Sequence, residues 1–275
     1  LRSILGLDAK NPAIVLKDAK LNLTISEIVS GSLSFNGQRC TALKIIFVER
    51  SISDDFLNQF LAKVKEIKIG LPWDNSFITP VAEKNKPSQI YHLTSDAITK
   101  GAKAFIDGRE ISLNDLENLL PSDEDKTYTQ LVKPVILYNV NENMDIYHIE
   151  QFGPIVPIVT FESIGKPLSY IINSNYGQQA SIFSNDPEKI AKIIDPLMNQ
   201  VSRVNINSQC QRGPDIFPFT GRKDSAEGTL SISDALRVFS IRSLVAFKGS
   251  DENKQIVEKI LDKRLSNFLN TDFIL

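Results

Sequence analysis

Short runs of branched apolar residues alternate with longer stretches of helical periodicity along most of the chain. NPAIVL (Asn11–Leu16) has the composition of a strand, and Asn22–Phe35 follows with Leu23, Ile25, Ile28, Val29 and Leu33 at helical spacing. Asn22 is a capping candidate for that helix. ALKIIFVE (Ala42–Glu49) reads as a buried strand. After it, Ser51 or Ser53 stands ready to cap a helix with Phe56, Phe60, Leu61 and Val64 on one face. A turn with Gly70 and Pro72 follows, and the same grammar then repeats. A helical run near Pro87–Lys100 leads through Gly101 to a strand at Ala104–Ile106. Further strands are expected at Leu131–Val140, Pro157–Phe161, Ala180–Ser184 and Ser202–Asn207, with helical runs after the third-last and second-last. Pro134 makes the first of these an edge or strand-start case. This alternation predicts an α/β fold, a mostly parallel sheet with helices on both faces.

Three segments depart from the rhythm. Ile111–Asp125 is polar and reads as a surface helix followed by an acidic loop. SIRSLVAFKG (Ser240–Gly249) reads as a strand with no local hairpin partner. The last stretch, KQIVEKILDKRLSNFL, has helical spacing with Ile256, Ile260 and Leu261 on its apolar side. A terminal strand and helix of this kind serve partner contacts or pack on the chain's own body. The expected division is residues 1–215 as the main domain and 216–275 as a C-terminal loop, bridging strand and helix.

Composition narrows the classes. A chain of 275 residues accommodates one large domain or two ordinary ones. With 42% hydrophobic and 23% charged residues it is globular in composition, far from disorder. Thirty-one basic against 33 acidic residues, net −2, argue against general affinity for nucleic acid. Two Cys and two His supply neither a disulfide scaffold nor an ordinary zinc site, which fits a reducing compartment. No apolar run reaches membrane-spanning length, since even Leu131–Val140 is interrupted by Lys133 and Pro134. The chain starts as if in mid-strand without Met, as a fragment, a processed subunit or one half of a split protein would. The compartment expected is the cytoplasm, or an organelle matrix after removal of a targeting segment.

Candidate chemistry concentrates at a few places. FNGQRC (Phe35–Cys40) puts a thiol behind a Gly-Gln-Arg turn and ahead of a strand. A nucleophilic thiol benefits from nearby N–H groups or a cation. Arg39 supplies positive charge, and Gly37 lets the turn bring the Cys40 amide towards a developing oxyanion. The local pattern fits a buried structural sulfur as well as a nucleophile. In the loop Asn207–Gly228, Arg212 before Gly213-Pro214 presents a guanidinium to an anion, or simply meets solvent or Asp215. Cys210 lacks the strand-to-turn setting of Cys40. In EQFGPIVPIVTF, Glu150 is able to accept hydrogen bonds from a ribose and Phe152 to pack on a flat ring; a solvated Glu and a core Phe fit equally. His92 and His148 belong to no spaced ligand set, and no metal is expected.

Taken together, FNGQRC, EQFGP and RGPDIFPFTGRKDS resemble the aldehyde dehydrogenase superfamily, over about Leu5 to Phe247. The likeness covers the C-terminal, catalytic-domain half of such an enzyme. QRC together with NSQCQRGPDIFPFTG is similar to the NADP-dependent non-phosphorylating glyceraldehyde-3-phosphate dehydrogenases. The resemblance implies that Cys40 attacks the aldehyde carbon to form a thiohemiacetal. Hydride then passes to NADP, with NAD also compatible, and water hydrolyses the remaining thioester to 3-phosphoglycerate. It implies further that Arg39 and Arg212 bind the substrate phosphate, that Glu150 holds the nicotinamide ribose, and that Phe152 positions the ring. The C-terminal strand and helix would belong to the oligomerisation and coenzyme region, giving a homo-oligomer or a heteromer with an N-terminal-half chain.

One departure bears on activity. Where the family has Leu-Glu-Leu-Gly-Gly-Lys, this chain has Leu5-Gly6-Leu7-Asp8-Ala9-Lys10, so Gly6 stands in place of the glutamate that activates the deacylating water. Losing one general base costs about 10²–10⁴-fold in the assisted step. The family's dinucleotide-holding segments precede the portion matched here. The alternative expectation is therefore a catalytically impaired subunit with a structural or partner-binding role. Ile149 and Ala226 are lesser departures.

Overall fold

In the computed structural model, which describes residues 2–117 and 130–269, the strand–helix alternation assembles one large sheet. The chain runs through β1 (Leu5–Gly6), β2 (Asn11–Val15), α1 (Leu21–Leu33), β3 (Leu43–Glu49), α2 (Ser53–Lys65) and α3 (Lys86–Thr99). It continues through β4 (Lys103–Ile106), β5 (Arg109–Ile111), the short α4 (Leu113–Glu117), β6 (Val135–Tyr138), α5 (Asp145–His148), β7 (Ile155–Phe161) and α6 (Gly165–Asn173). Then come β8 (Tyr176–Gly177), β9 (Gln179–Phe183), α7 (Pro187–Leu197), β10 (Arg203–Ile206), β11 (Arg222–Lys223) and β12 (Ala226–Glu227). The acidic loop expected after α4 lies outside the described residues.

Eight strands pair in the order β10-β9-β2-β3-β7-β6-β4-β5. The first six are mutually parallel, and β4 and β5 close one edge as an antiparallel hairpin. Two short antiparallel ladders, β1 with β12 and β8 with β11, lie outside the main sheet. Pro134 falls just before β6, which is internal; the strand-start reading holds because proline there forfeits no ladder bond. Two capping expectations fail. The first helix begins at Leu21, one residue earlier than the cap candidate, so Asn22 lies inside its first turn and no side chain caps it. Ser53 is the first residue of α2, and its hydroxyl donates to Arg50 O at 3.0 Å rather than capping.

Side chains alternate across the central strands, as pleated geometry requires. Ile14, Ile45 and Phe47 enter one apolar cluster with Ile90 and Leu93 of α3, Tyr147 of α5, Tyr170 of α6 and Leu197 of α7. Their neighbours Ala13, Val15, Ile46 and Val48 enter a second cluster with Ile28 of α1 and Phe56 and Phe60 of α2. The two cores explain why β2 and β3 read as unbroken apolar runs: both faces are covered. Phe47 is fully buried, with ring centroids 6.3 Å from Tyr147 and 5.1 Å from Tyr170.

This first unit extends to Ala235, and a second begins at Leu236. Helix α8 (Ile232–Phe239) runs across that boundary. The strand expected at Ser240–Gly249 is not formed, and Ile241 is 95% exposed. A strand needs a partner ladder for its backbone groups, and the segment has none among the described residues. Helix α9 (Asp251–Asp262) follows, capped by Ser250, whose hydroxyl accepts from Asn253 N at 3.3 Å. No described helix is long and apolar enough to cross a membrane.

Phe47→Ala should lower stability by about 3–5 kcal/mol, because it removes a ring wedged between two others and leaves a cavity; urea denaturation of the variant against the parent measures this.

Candidate active site

Between α1 and β3 the chain makes an unusual turn. Phe35 (φ 54°), Asn36 (φ 60°) and Gly37 (φ 69°) are successive left-handed residues. Asn36 tolerates this conformation and is pinned: Thr79 N donates to its Oδ1 at 2.9 Å. At Gly37 only glycine fits, since a Cβ would lie 2.6 Å from Gly153 O and 2.8 Å from Ser32 O. That close approach presses the FNGQRC turn against the EQFGP turn. Cys40 emerges just beyond it, its carbonyl accepting from Asn11 Nδ2 at 2.7 Å and Lys44 Nζ at 3.3 Å. Asn11 also donates to Ala42 O and accepts from Gln179 N, both at 3.0 Å, and so ties β2, the cysteine loop and β9 together.

The loops entering β2, β3 and β7, adjacent strands of the sheet, meet at their amino ends. There Gly6, Leu7, Asp8, Cys40, Glu83, Glu150 and Phe152 line an open cavity of about 490 Å³. Three of the five sequence-derived site residues, Cys40, Glu150 and Phe152, thus share one cavity, with Gly6 in its wall. Arg39 and Arg212 are not among its lining residues. Arg39 donates to Ser34 Oγ at 2.8 Å and lies over the Phe35 ring at 5.3 Å. Burial lowers its pKa, with the Cys210 and Cys40 thiols opposing. Arg212 is exposed, 5.3 Å from the centre of the Phe219 ring.

Beneath the cavity lies a buried charged cluster. Lys44, 1% exposed, forms an ion pair with Glu150 and donates to Arg39 O at 2.8 Å. Lys10, 2% exposed, donates to Ile146 O, Ile149 O and Gln151 Oε1, each at 2.7 Å. Gln151 in turn donates to Lys44 O at 2.9 Å and Ile155 O at 3.0 Å. Burial drives the Lys10 pKa well below that of an ordinary ammonium, and the charge of Lys44 adds to the effect. Burial also lowers Lys44 against the attraction of Glu150, and raises Glu150 against the attraction of Lys44. Phe152, at φ 40°, has Lys44 Nζ 5.4 Å and Lys86 Nζ 6.0 Å from its ring centre.

The two thiols differ sharply. Cys40 is partly exposed in the cavity, whereas Cys210 is fully buried, 3.4 Å from Ser181 Oγ. Burial pushes the Cys210 thiol up to about 11. At Gly6 there is room for a side chain: a Cβ would find its nearest neighbour, Leu230 Cδ1, at 3.5 Å. Lys44, Gln151 and Lys86 were not singled out as site residues from sequence. The available signal was a polar residue set inside an apolar strand, as in ALKIIFVE.

A mostly parallel sheet flanked by helices on both faces is the architecture of an aldehyde dehydrogenase catalytic domain. The chain belongs to the aldehyde dehydrogenase family, whose model matches residues 1–245. It is 36% identical over 234 residues to an NADP-dependent glyceraldehyde-3-phosphate dehydrogenase of Apium graveolens, covering 85% of this chain and 43% of that protein. The enzyme of the same name from Streptococcus equinus is 34% identical, over 90% of this chain and 47% of the relative. Among solved structures, the NADP-dependent glyceraldehyde-3-phosphate dehydrogenase of Bacillus halodurans C-125 complexed with NADP matches with a TM-score of 0.78 at 35% identity. That match covers 90% of this chain and 48% of the other. The chain thus spans about half the length of the relatives it matches.

Two outcomes follow from this geometry. At pH 8 only about a thousandth of a thiol with a pKa near 11 is ionised. A maleimide or iodoacetamide probe should therefore modify Cys40 in the native protein and reach Cys210 only on unfolding, as peptide mass mapping will show. Glu150→Gln removes the counter-charge of the buried Lys44 and should cost about 3–5 kcal/mol near neutral pH. A lysine whose folded pKa lies below its unfolded value penalises the fold while protonated, and the penalty fades as pH rises through the folded towards the unfolded value. The loss should accordingly shrink between pH 7 and about 10, read by urea denaturation across that range.

Proposed function

We propose that this chain is the catalytic-domain part of an oxidoreductase that converts glyceraldehyde 3-phosphate to 3-phosphoglycerate with NADP. The observation that carries the reading is the placement of Cys40, partly exposed in an open cavity with Glu150 and Phe152 while the other thiol is sealed. In this reading Cys40 Sγ attacks the aldehyde carbon to give a thiohemiacetal, and its amide helps hold the oxyanion. The oxidised carbon stays on Cys40 as a thioester until water releases the acid.

The donor set fits the nicotinamide end of the dinucleotide. Glu150 offers a carboxylate for ribose hydroxyls, and Phe152 a ring to support the nicotinamide, both in the cavity wall. When bound, NADP supplies the hydride acceptor. The remaining contacts would come from a coenzyme-binding portion such as the twice-longer relatives carry. That portion would be part of the same protein or a separate partner chain in a heteromer, with homo-oligomers also compatible. Arg39 and Arg212 are the guanidiniums assigned to the substrate phosphate. They lie outside the cavity wall, so this role needs each to swing from its aromatic neighbour.

Gly6 favours a second reading, a subunit that acylates and turns over slowly or serves a structural role. The deciding assay supplies the chain with a coenzyme-half chain, NADP and glyceraldehyde 3-phosphate, without inorganic phosphate. NADPH should form, and Cys40→Ala should abolish it. Stable association of the two chains with no NADPH formed would leave only the second reading.

A further inference from the structure

Position 6 has lost a carboxylate, but the cavity has not. Three acidic side chains line it, namely Asp8, Glu83 and Glu150. Glu150 is paired with Lys44 and is the carboxylate assigned to the ribose. Glu83 is paired with Lys86 at 3.1 Å. Asp8 is exposed, and among the described residues its carboxylate takes part in no hydrogen bond or ion pair.

Its placement follows from the short ladder just before it. Gly6 pairs with Ala226, and Leu7 N continues the ladder by donating to Ser225 O at 3.1 Å. The chain leaves the ladder there, and Gly6, Leu7 and Asp8 all line the cavity that holds the thiol. Compared with the segment it resembles, this chain has exchanged glutamate for glycine at 6 and glycine for aspartate at 8.

We propose that Asp8 is the general base for deacylation of Cys40, taking the role at a two-residue offset from the glycine. The proposal rests on the reading of Cys40 as the acylated nucleophile. Water attacks the thioester carbon and gives a proton to the Asp8 carboxylate. As the tetrahedral intermediate collapses, the C–S bond breaks and the proton passes to Sγ. The acid departs and the Cys40 thiol is regenerated, with no oxidant or reductant consumed.

The test uses the chain as it stands, with p-nitrophenyl acetate as the acyl donor and no dinucleotide. The parent should release a burst of p-nitrophenolate equal to the thiol content of the cavity and then turn over steadily; Cys40→Ala should show no burst. Asp8→Asn should keep the full burst while steady turnover falls about 100-fold, and Asp8→Glu should restore part of it. Intact mass should show acetyl-Cys40 outliving that of the parent in Asp8→Asn by the same factor. An Asp8→Asn variant whose acetyl group is lost as fast as the parent's overturns the assignment of the base while leaving the nucleophile intact. A parent that hydrolyses the ester no faster than Cys40→Ala and carries no acetyl-Cys40 overturns the nucleophile, and the base with it.

Discussion

Everything at the cavity rests on a buried ion pair between a lysine at the start of β3 and a glutamate in the loop before β7. Charges removed from water are costly unless partnered. Here the Lys44 ammonium answers Glu150 and two carbonyls of the cysteine loop at once. Lys10 does the same for the loop on the other side, drawing in Ile146, Ile149 and Gln151. Two lysines and one glutamate are thus buried together behind the cysteine loop.

The same constraint explains the position of the site in the fold. Ligands of open parallel sheets commonly gather at the carboxyl ends of the strands. This cavity sits at the amino ends of β2, β3 and β7, where loops must turn tightly without helix N-termini to satisfy them. Asn11, Gln151 and the two lysines supply those loops with hydrogen-bond donors instead. Gly37 completes the arrangement by letting two backbones touch. Lys10, Lys44 and Gln151 beneath the cavity are buried, whereas Asp8 and Glu83 at its rim are exposed.

Much of this was legible in the chain itself. Runs such as NPAIVL and ALKIIFVE were read as strands because both faces of β2 and β3 are buried, so their apolar pattern is local information. The motifs around Cys40, Glu150 and Arg212 carried the family by their residue order. Where the reading failed, the missing term was a partner. Asn22 does not cap because the helix begins one residue earlier, and Ser240–Gly249 forms no strand because no ladder is available to it among the described residues.

The sequence by itself determined the alternation of strands and helices, the parallel class of the sheet and the identity of the residues with chemical potential. Only the tertiary structure decided which of them meet. It set β2, β3 and β7 side by side, which brings residues 8, 40 and 150 to one cavity, and it left the guanidiniums of Arg39 and Arg212 stacked on aromatic rings outside it. It also sealed one cysteine and opened the other. The reason is physical: hydrophobic periodicity acts over a few residues, whereas strand order and the pairing of buried charges join positions more than a hundred residues apart.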